Sequence, residues 1–459
     1  MFRLLQSICN RNVERSRLRL NARNFMDHRI LKVLCLAALF LLPASSIESQ
    51  TVLEPLLRDP SRAEWSSLSR FSQTVTRGEF EQRLREVFDP FHGLGPFLQI
   101  TNSSVKVFAA PGREQLVEVQ FASSPEEVKR PPVGFRTVSE ISRRSASKSL
   151  AGLRLVIEPA DIGGKWGGWD DRSTFYRGYG RIEEGDLNLT VAKILERNLH
   201  QLGAKVFLTR QSAEPVAAYD PQKLDEETRQ ILAHQSYTLP PAFYERARNV
   251  PKNSERRFQI AKEVLFAKVI EQRARAEEVR RHFKPDLTIV LQHDASPESA
   301  RSRLTRVNRN IFFVDGAYQA KELRSDPHQR LRLLTKLFEN VTPIETTVAA
   351  RIAARFQAVT GDPPVKYGNS ANTRTVSGGN AFVVARNLAF NREHDGPVVV
   401  TEPYFMNEPV TLQRLLAGDY EGSRLVAGRQ RGSIFQEYAN SVAAGLVDAY
   451  AGNRTGSIH

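Results

Sequence analysis

Apolar residues recur with two different periods along the chain, and the switches between them mark its elements. Thr76-Arg-Gly-Glu79 has the pattern of a capping box, and Phe80, Leu84, Val87 and Phe88 follow at helical spacing. Alternation then takes over. Phe97 to Ile100 and Val105 to Phe108 flank a Thr-Asn-Ser-Ser turn and read as a hairpin, and Val117, Val119 and Phe121 predict a third strand. Lys129-Arg-Pro-Pro132 breaks regular structure, and the Ser- and Arg-rich run 139–150 reads as a linker. Residues 47–138 are thus expected to form a small α+β accessory unit.

A second pattern begins at Leu153. Leu153 to Glu158 predicts a buried strand that runs into the Gly-rich loop Ile162-Gly-Gly-Lys-Trp-Gly-Gly168. Leu187, Val191, Leu195, Leu199 and Leu202 lie on one face of a helix from about Asp186, which Gly203 stops, and Ala204 to Thr209 predicts the next strand. A long charged helix reaching Phe283, strands at Asp286–Leu291 and Asn310–Val314, a helix near Glu345–Val359, a strand at Pro397–Thr401 and a closing helix through Phe435, Val442 and Leu446 complete the alternation. Strands alternating with helices predict an α/β domain over 151–452, a mostly parallel sheet with helices on both faces. The Pro-punctuated segment 212–252 is too long for a plain connection and is expected to form a cap.

Ahead of these elements, Ile30 to Leu42 is a short apolar run with His28 and Arg29 before it and Pro43-Ala-Ser-Ser46 after it. This is a signal-peptide pattern, too short for a comfortable membrane span, with an uncleaved anchor as the alternative. Residues 1–46 are therefore read as leader and signal peptide, with Met26 an alternative start, and the mature chain as exported to the periplasm or cell envelope without a stable membrane span. Cys9 and Cys35, the two cysteines of the chain, lie in that leader, so the mature chain carries neither disulfide nor thiolate metal site. The formal charge of +14 suits an anionic polymer. No nucleic-acid recognition motif accompanies it, and an export signal argues against nucleic acid as the partner.

In open α/β sheets ligands bind beyond the carboxyl ends of the strands. Asp161, Glu184, His293 and Glu402 occupy such positions. Three ligands from His, Asp or Glu plus an open position make a catalytic zinc site, so Asp161, Glu184 and His293 are candidate ligands and Glu402 a candidate proton carrier. The competing reading is ordinary loop carboxylates with a hydrogen-bonded histidine. His394 is a possible rescue ligand; His282 lies at the wrong end of its strand. Trp166, with Trp169, Phe175 and Tyr176, could stack on a sugar or cover a core edge, and Arg386 could pair with a peptide carboxylate or a surface acid.

The ordered segments resemble the zinc-dependent N-acetylmuramoyl-L-alanine amidases. The resemblance runs through Val156-Ile-Glu-Pro-Ala-Asp-Ile-Gly-Gly164, Glu184-Gly-Asp-Leu-Asn-Leu189, Val206-Phe-Leu-Thr-Arg210, Pro285 to His293 and Val400-Thr-Glu-Pro-Tyr-Phe-Met-Asn407. It implies hydrolysis of the amide between N-acetylmuramic acid and L-alanine in peptidoglycan, with Zn2+ on Asp161, Glu184 and His293, Glu402 as general base, and an activator protein left open. Four positions depart from the family. Asp161 stands where it has its first His ligand, Glu158 and Ala160 replace its Asp and Gly, and Ala295 replaces an Asn. A catalytically impaired wall-binding protein is the alternative.

Overall fold

The computed structural model describes residues 59–142, 148–233, 239–296, 300–365, 372–376 and 380–451. The signal-peptide pattern, Met26, Cys9 and Cys35 lie outside them. Among the described residues no helix is long and apolar enough to cross a membrane.

The capping box at Thr76 opens helix α1 (Arg77–Arg83), with both reciprocal hydrogen bonds to Glu79 present. Strands β1 (Leu98–Ile100), β2 (Ser104–Phe108) and β3 (Gln115–Gln120) follow as an antiparallel sheet in the order β1-β2-β3. Phe80 of α1 stacks on Phe338, 5.5 Å between centroids, so this unit shares its core with the larger domain. Val138–Ser142, at the start of the expected linker, is helical, and the Ser142 hydroxyl donates to the Tyr450 carbonyl.

The main domain starts with β4 (Arg154–Pro159), continues through the hairpin β5 (Ser173–Tyr176) and β6 (Gly180–Glu183) into α2 (Glu184–Gln201), and reaches β7 (Lys205–Leu208). Short helices Pro221–Ala233 and Pro241–Arg246 occupy the expected cap. They pack on α3 (Glu255–Leu265) around Leu224, Ile231, Phe243 and Val264. The predicted long helix is interrupted: a π-helical turn, Phe266–Ile270, separates α3 from α4 (Glu271–His282). After β8 (Leu287–Leu291) and β9 (Ile311–Val314) come α5 (Pro327–Glu339), which the sequence reading missed, and α6 (Thr342–Thr360). The chain then forms β10 (Arg374–Thr375), β11 (Val383–Ala385), α7 (Ala389–Glu393) and β12 (Val398–Glu402). It ends in the hairpin β13 (Arg424–Val426) and β14 (Arg429–Arg431) and helix α8 (Ile434–Tyr450).

The central sheet has seven strands in the order β10-β11-β9-β12-β8-β4-β7. Strands β12, β8, β4 and β7 are parallel; β9 runs antiparallel to β12. Side-chain alternation divides the core. Leu155, Ile157, Leu287, Ile289 and Val399 face the layer of α2, α6 and α8, whereas Val290, Val398 and Val400 face α7. Burial on both faces explains why these strands read as unbroken apolar runs, and the architecture is the expected mostly parallel α/β sheet with helices on both faces.

Candidate functional site

The carboxyl ends of β4, β8 and β12 lie side by side, because β8 pairs with both neighbours in parallel register. Asp161 follows β4, Glu184 is the first residue of α2, His293 follows β8 and Glu402 ends β12. Gly185 holds the first two together: a Cβ there would stand 2.4 Å from the Ile162 carbonyl carbon, so only glycine lets the helix start approach the loop backbone. Asp161 itself has a φ of 63°, a left-handed conformation in which an Asp is tolerated.

All four candidates are buried, but their neighbours are cations. Arg172, just before β5, reaches Asp161 at 3.5 Å, Glu184 at 3.1 Å and Asp294 at 3.3 Å. Arg301 pairs with Glu184 and lies 2.8 Å from Asp294. Lys268, carried on the π turn, is 3.5 Å from Asp161 and also pairs with Asp170. Burial works to raise the Asp161 carboxyl, but Arg172 and Lys268 overcome it and hold the group at about 2. Asp294 is likewise held below the usual range by Arg172 and Arg301 against its burial.

His293 has a different environment. Asn188 Nδ2 donates to the Ala160 carbonyl at 2.9 Å, so its Oδ1 is the acceptor 2.7 Å from His293 Nδ1. The proton therefore sits on Nδ1 and Nε2 keeps its lone pair. Burial drives the ring's pKa down to about 3, only partly opposed by Asp161, and the imidazole is neutral. At Glu402, burial and the nearby Asp294 push the carboxyl up to about 8, with Arg386, Arg172 and Arg301 only partly offsetting them. The protonated form is thereby favoured.

These residues, as arranged, do not fit a zinc ion. Zinc needs the carboxylate oxygens for itself, and here cations crowd Asp161 Oδ1 and pair with both oxygens of Glu184. Two arginines supply the charge that a divalent metal would bring. Among the described residues no group of three His, Cys, Asp or Glu side chains is gathered to hold a metal.

Two further expectations meet specific geometry. Trp166 is 7% exposed, its ring stacked on Phe266 at 5.4 Å and edge-on to Trp169 and Tyr219, and its Nε1 donates to Glu214. It packs in the core of the inserted segment, the second of the two roles the sequence left open to it. Phe175, on β5, is 60% exposed instead. Arg386 lies over the Phe313 ring, 5.4 Å from its centroid, and acts electrostatically on Glu402. His394 is not beside the other candidates' carboxylates: its Nε2 is 3.4 Å from Glu158, in a buried network with Arg275. His282 ends α4, exposed, its ring against the Glu278 carbonyl.

The residues that sequence reasoning missed are Arg172, Lys268, Asp170, Asp294 and Arg301. None falls on a periodic pattern, and the available signal was indirect: buried carboxylates at strand ends require counter-charges.

No protein-family model matches the chain, and no curated protein does. Among solved structures, the CwlD amidase from Clostridioides difficile, in complex with the GerS lipoprotein, is 12% identical with a TM-score of 0.34, over 65% of this chain and 98% of that one. The N-acetylmuramyl-L-alanine amidase Ami1 from Mycobacterium smegmatis is 13% identical with a TM-score of 0.32, over 66% and 99%. Cwp6 from Clostridium difficile is 14% identical with a TM-score of 0.32, and the match spans 65% of this chain but 29% of Cwp6.

Proposed function

We propose that the chain is an exported cell-envelope protein that binds peptidoglycan at the carboxyl ends of β4, β8 and β12 without metal-assisted hydrolysis. Peptidoglycan as the partner rests on the sequence resemblance to the muramoyl-L-alanine amidases, and export on the signal-peptide pattern at 28–46. The observation that carries the non-hydrolytic reading is Arg172, which bridges Asp161, Glu184 and Asp294 where those carboxylates would have to face a metal. Glu402 agrees with it. Burial and Asp294 raise the Glu402 carboxyl toward its protonated form, in which it donates a hydrogen bond. Protonated Glu402, Arg386 and the exposed ring of Phe175 supply contacts suited to carbonyls, carboxylates and sugar faces.

The test is co-sedimentation with purified sacculi alongside assay of released stem peptides. The proposal expects the protein in the pellet and no release, with or without added zinc; steady release would overturn it, as would failure to sediment.

A second reading, zinc-dependent hydrolysis of the amide between N-acetylmuramic acid and L-alanine, has one observation in its favour. His293 is neutral and fixed by Asn188 with Nε2 free of its proton, the state of a metal-binding imidazole. It requires Arg172 and Lys268 to leave Asp161, and Arg172 and Arg301 to leave Glu184.

A further inference from the structure

Apart from the four strand-end residues, a cavity of about 470 Å³ opens between the end of α6, the segment 306–308, the loop after β12 and the hairpin β13–β14. Its size falls in the range of small-molecule sites, about 300–1,000 Å³. Part of its wall is satisfied internally. Arg414 holds Glu437 by two hydrogen bonds of 3.1 and 2.9 Å, and the Tyr404 hydroxyl donates to the same carboxylate at 2.8 Å.

The rest of the charge is not matched. Arg431 and Arg306 line the cavity with Asp362 and Glu408, and among the described residues none of these four takes part in an ion pair. Arg431 Nε is buried without a hydrogen-bond partner. Asp362 accepts from Asn308 Nδ2 at 2.9 Å, and Glu408 accepts from the Thr411 amide at 2.8 Å, so both acids are held by neutral donors. Val359, 55% exposed, and Val410 add an apolar wall. Opposite charges kept apart in one shared, solvent-open space leave both signs available to a ligand that carries both.

We infer that this cavity binds a small zwitterion, a free amino acid or a short peptide with both termini free. The carboxylate lies on Arg431 and Arg306, the ammonium between Asp362 and Glu408, and a small side chain against Val359 and Val410. The site is independent of whether the strand-end residues hydrolyse or only bind.

Titration calorimetry on the full chain with L-alanyl-L-alanine, its N-acetylated form and its C-amidated form tests this. The free dipeptide should bind with a Kd of about 1 mM or tighter. Blocking either terminus should weaken binding by about tenfold or more, and so should Arg431→Gln and Asp362→Asn, which lie on different elements and report independently if one fails to fold. Absence of heat up to about 10 mM dipeptide, equal affinity for a blocked form, or unchanged affinity in a folded variant would overturn the inference.

Discussion

Two carboxylate–guanidinium networks lie within a few residues of each other at the end of β4, and they differ in what surrounds them. In the first, Arg275 of α4 binds Glu158 at 2.5 Å and Glu271 at 2.6 Å, and all three side chains are at most 1% exposed. Two further bonds go to the Pro159 and Asp161 carbonyls, so all three guanidinium nitrogens are engaged inside the fold. In the second, Arg172 and Arg301 serve Asp161, Glu184 and Asp294, but the two arginine side chains are 18% and 29% exposed. The same chemistry is sealed from solvent in one network and open to it in the other. Glu158 is held at about 2, by Arg275 and His394 against its burial, as a permanent core charge; the strand-end group sits where a ligand could displace a cation.

The comparison breaks most readily at Arg275. Arg275→Met should leave two buried carboxylates without their counter-charge and cost about 3–5 kcal/mol, read by denaturant unfolding. A loss below about 1 kcal/mol would show that the core network is not structural.

Arg172→Met should cost less, about 1–3 kcal/mol, because Lys268 still serves Asp161 and Arg301 still serves Glu184 and Asp294. Zinc affinity is expected only when Lys268 and Arg301 are removed together with Arg172, whereas Asp161→His alone should confer none. Zinc uptake by Asp161→His with Arg172 in place would mean that the arginine is no obstacle.

Glu402 sharpens the contrast through pH. Its carboxyl titrates near 4.5 in an ordinary setting and at about 8 in the fold. The stability linked to it is therefore full below about pH 4.5 and is lost as pH rises through 8. Glu402→Gln removes that loss. Its melting temperature, compared with the unmodified protein, should gain on the order of a few °C between pH 5 and pH 8.5. A gap that does not change with pH would place an ionised Glu402 in the fold.

The smallest effect on stability is expected at Phe175, on the exposed face of β5. Phe175→Ala should change unfolding by no more than about 0.5 kcal/mol while weakening sedimentation with sacculi. A large destabilisation, or unchanged sacculus binding, would remove this ring from the binding surface.

The contrast also explains what could be read from the chain. Strands β4, β8 and β12 were legible because burial on both faces leaves unbroken apolar runs, and α2 because its apolar stripe ends at Gly203, whose φ of 91° suits a helix stop. Strand-end placement drew attention to Asp161, Glu184, His293 and Glu402, and the fold gathers that end of the sheet. The counter-charges were not legible. Arg172, Lys268 and Arg301 lie on a pre-hairpin residue, a π turn and a loop, distant in sequence, and a surface arginine has the same letter as a buried one. Trp166 was open to both readings for a similar reason, since Phe266, which covers its ring, is 100 residues away. Helix α5 carries a legible signal, Leu333, Leu334, Leu337 and Phe338 behind an Asp326 cap, that the sequence reading passed over.

Metal content of the purified chain, after dialysis against zinc and then against buffer, tests the central claim most directly. With arginine and lysine charges in place of a metal, the account predicts well under about 0.1 zinc per chain at neutral pH, and a rise toward about one only when Arg172, Lys268 and Arg301 are removed together. One tightly held zinc per unmodified chain, lost in His293→Ala, would contradict it.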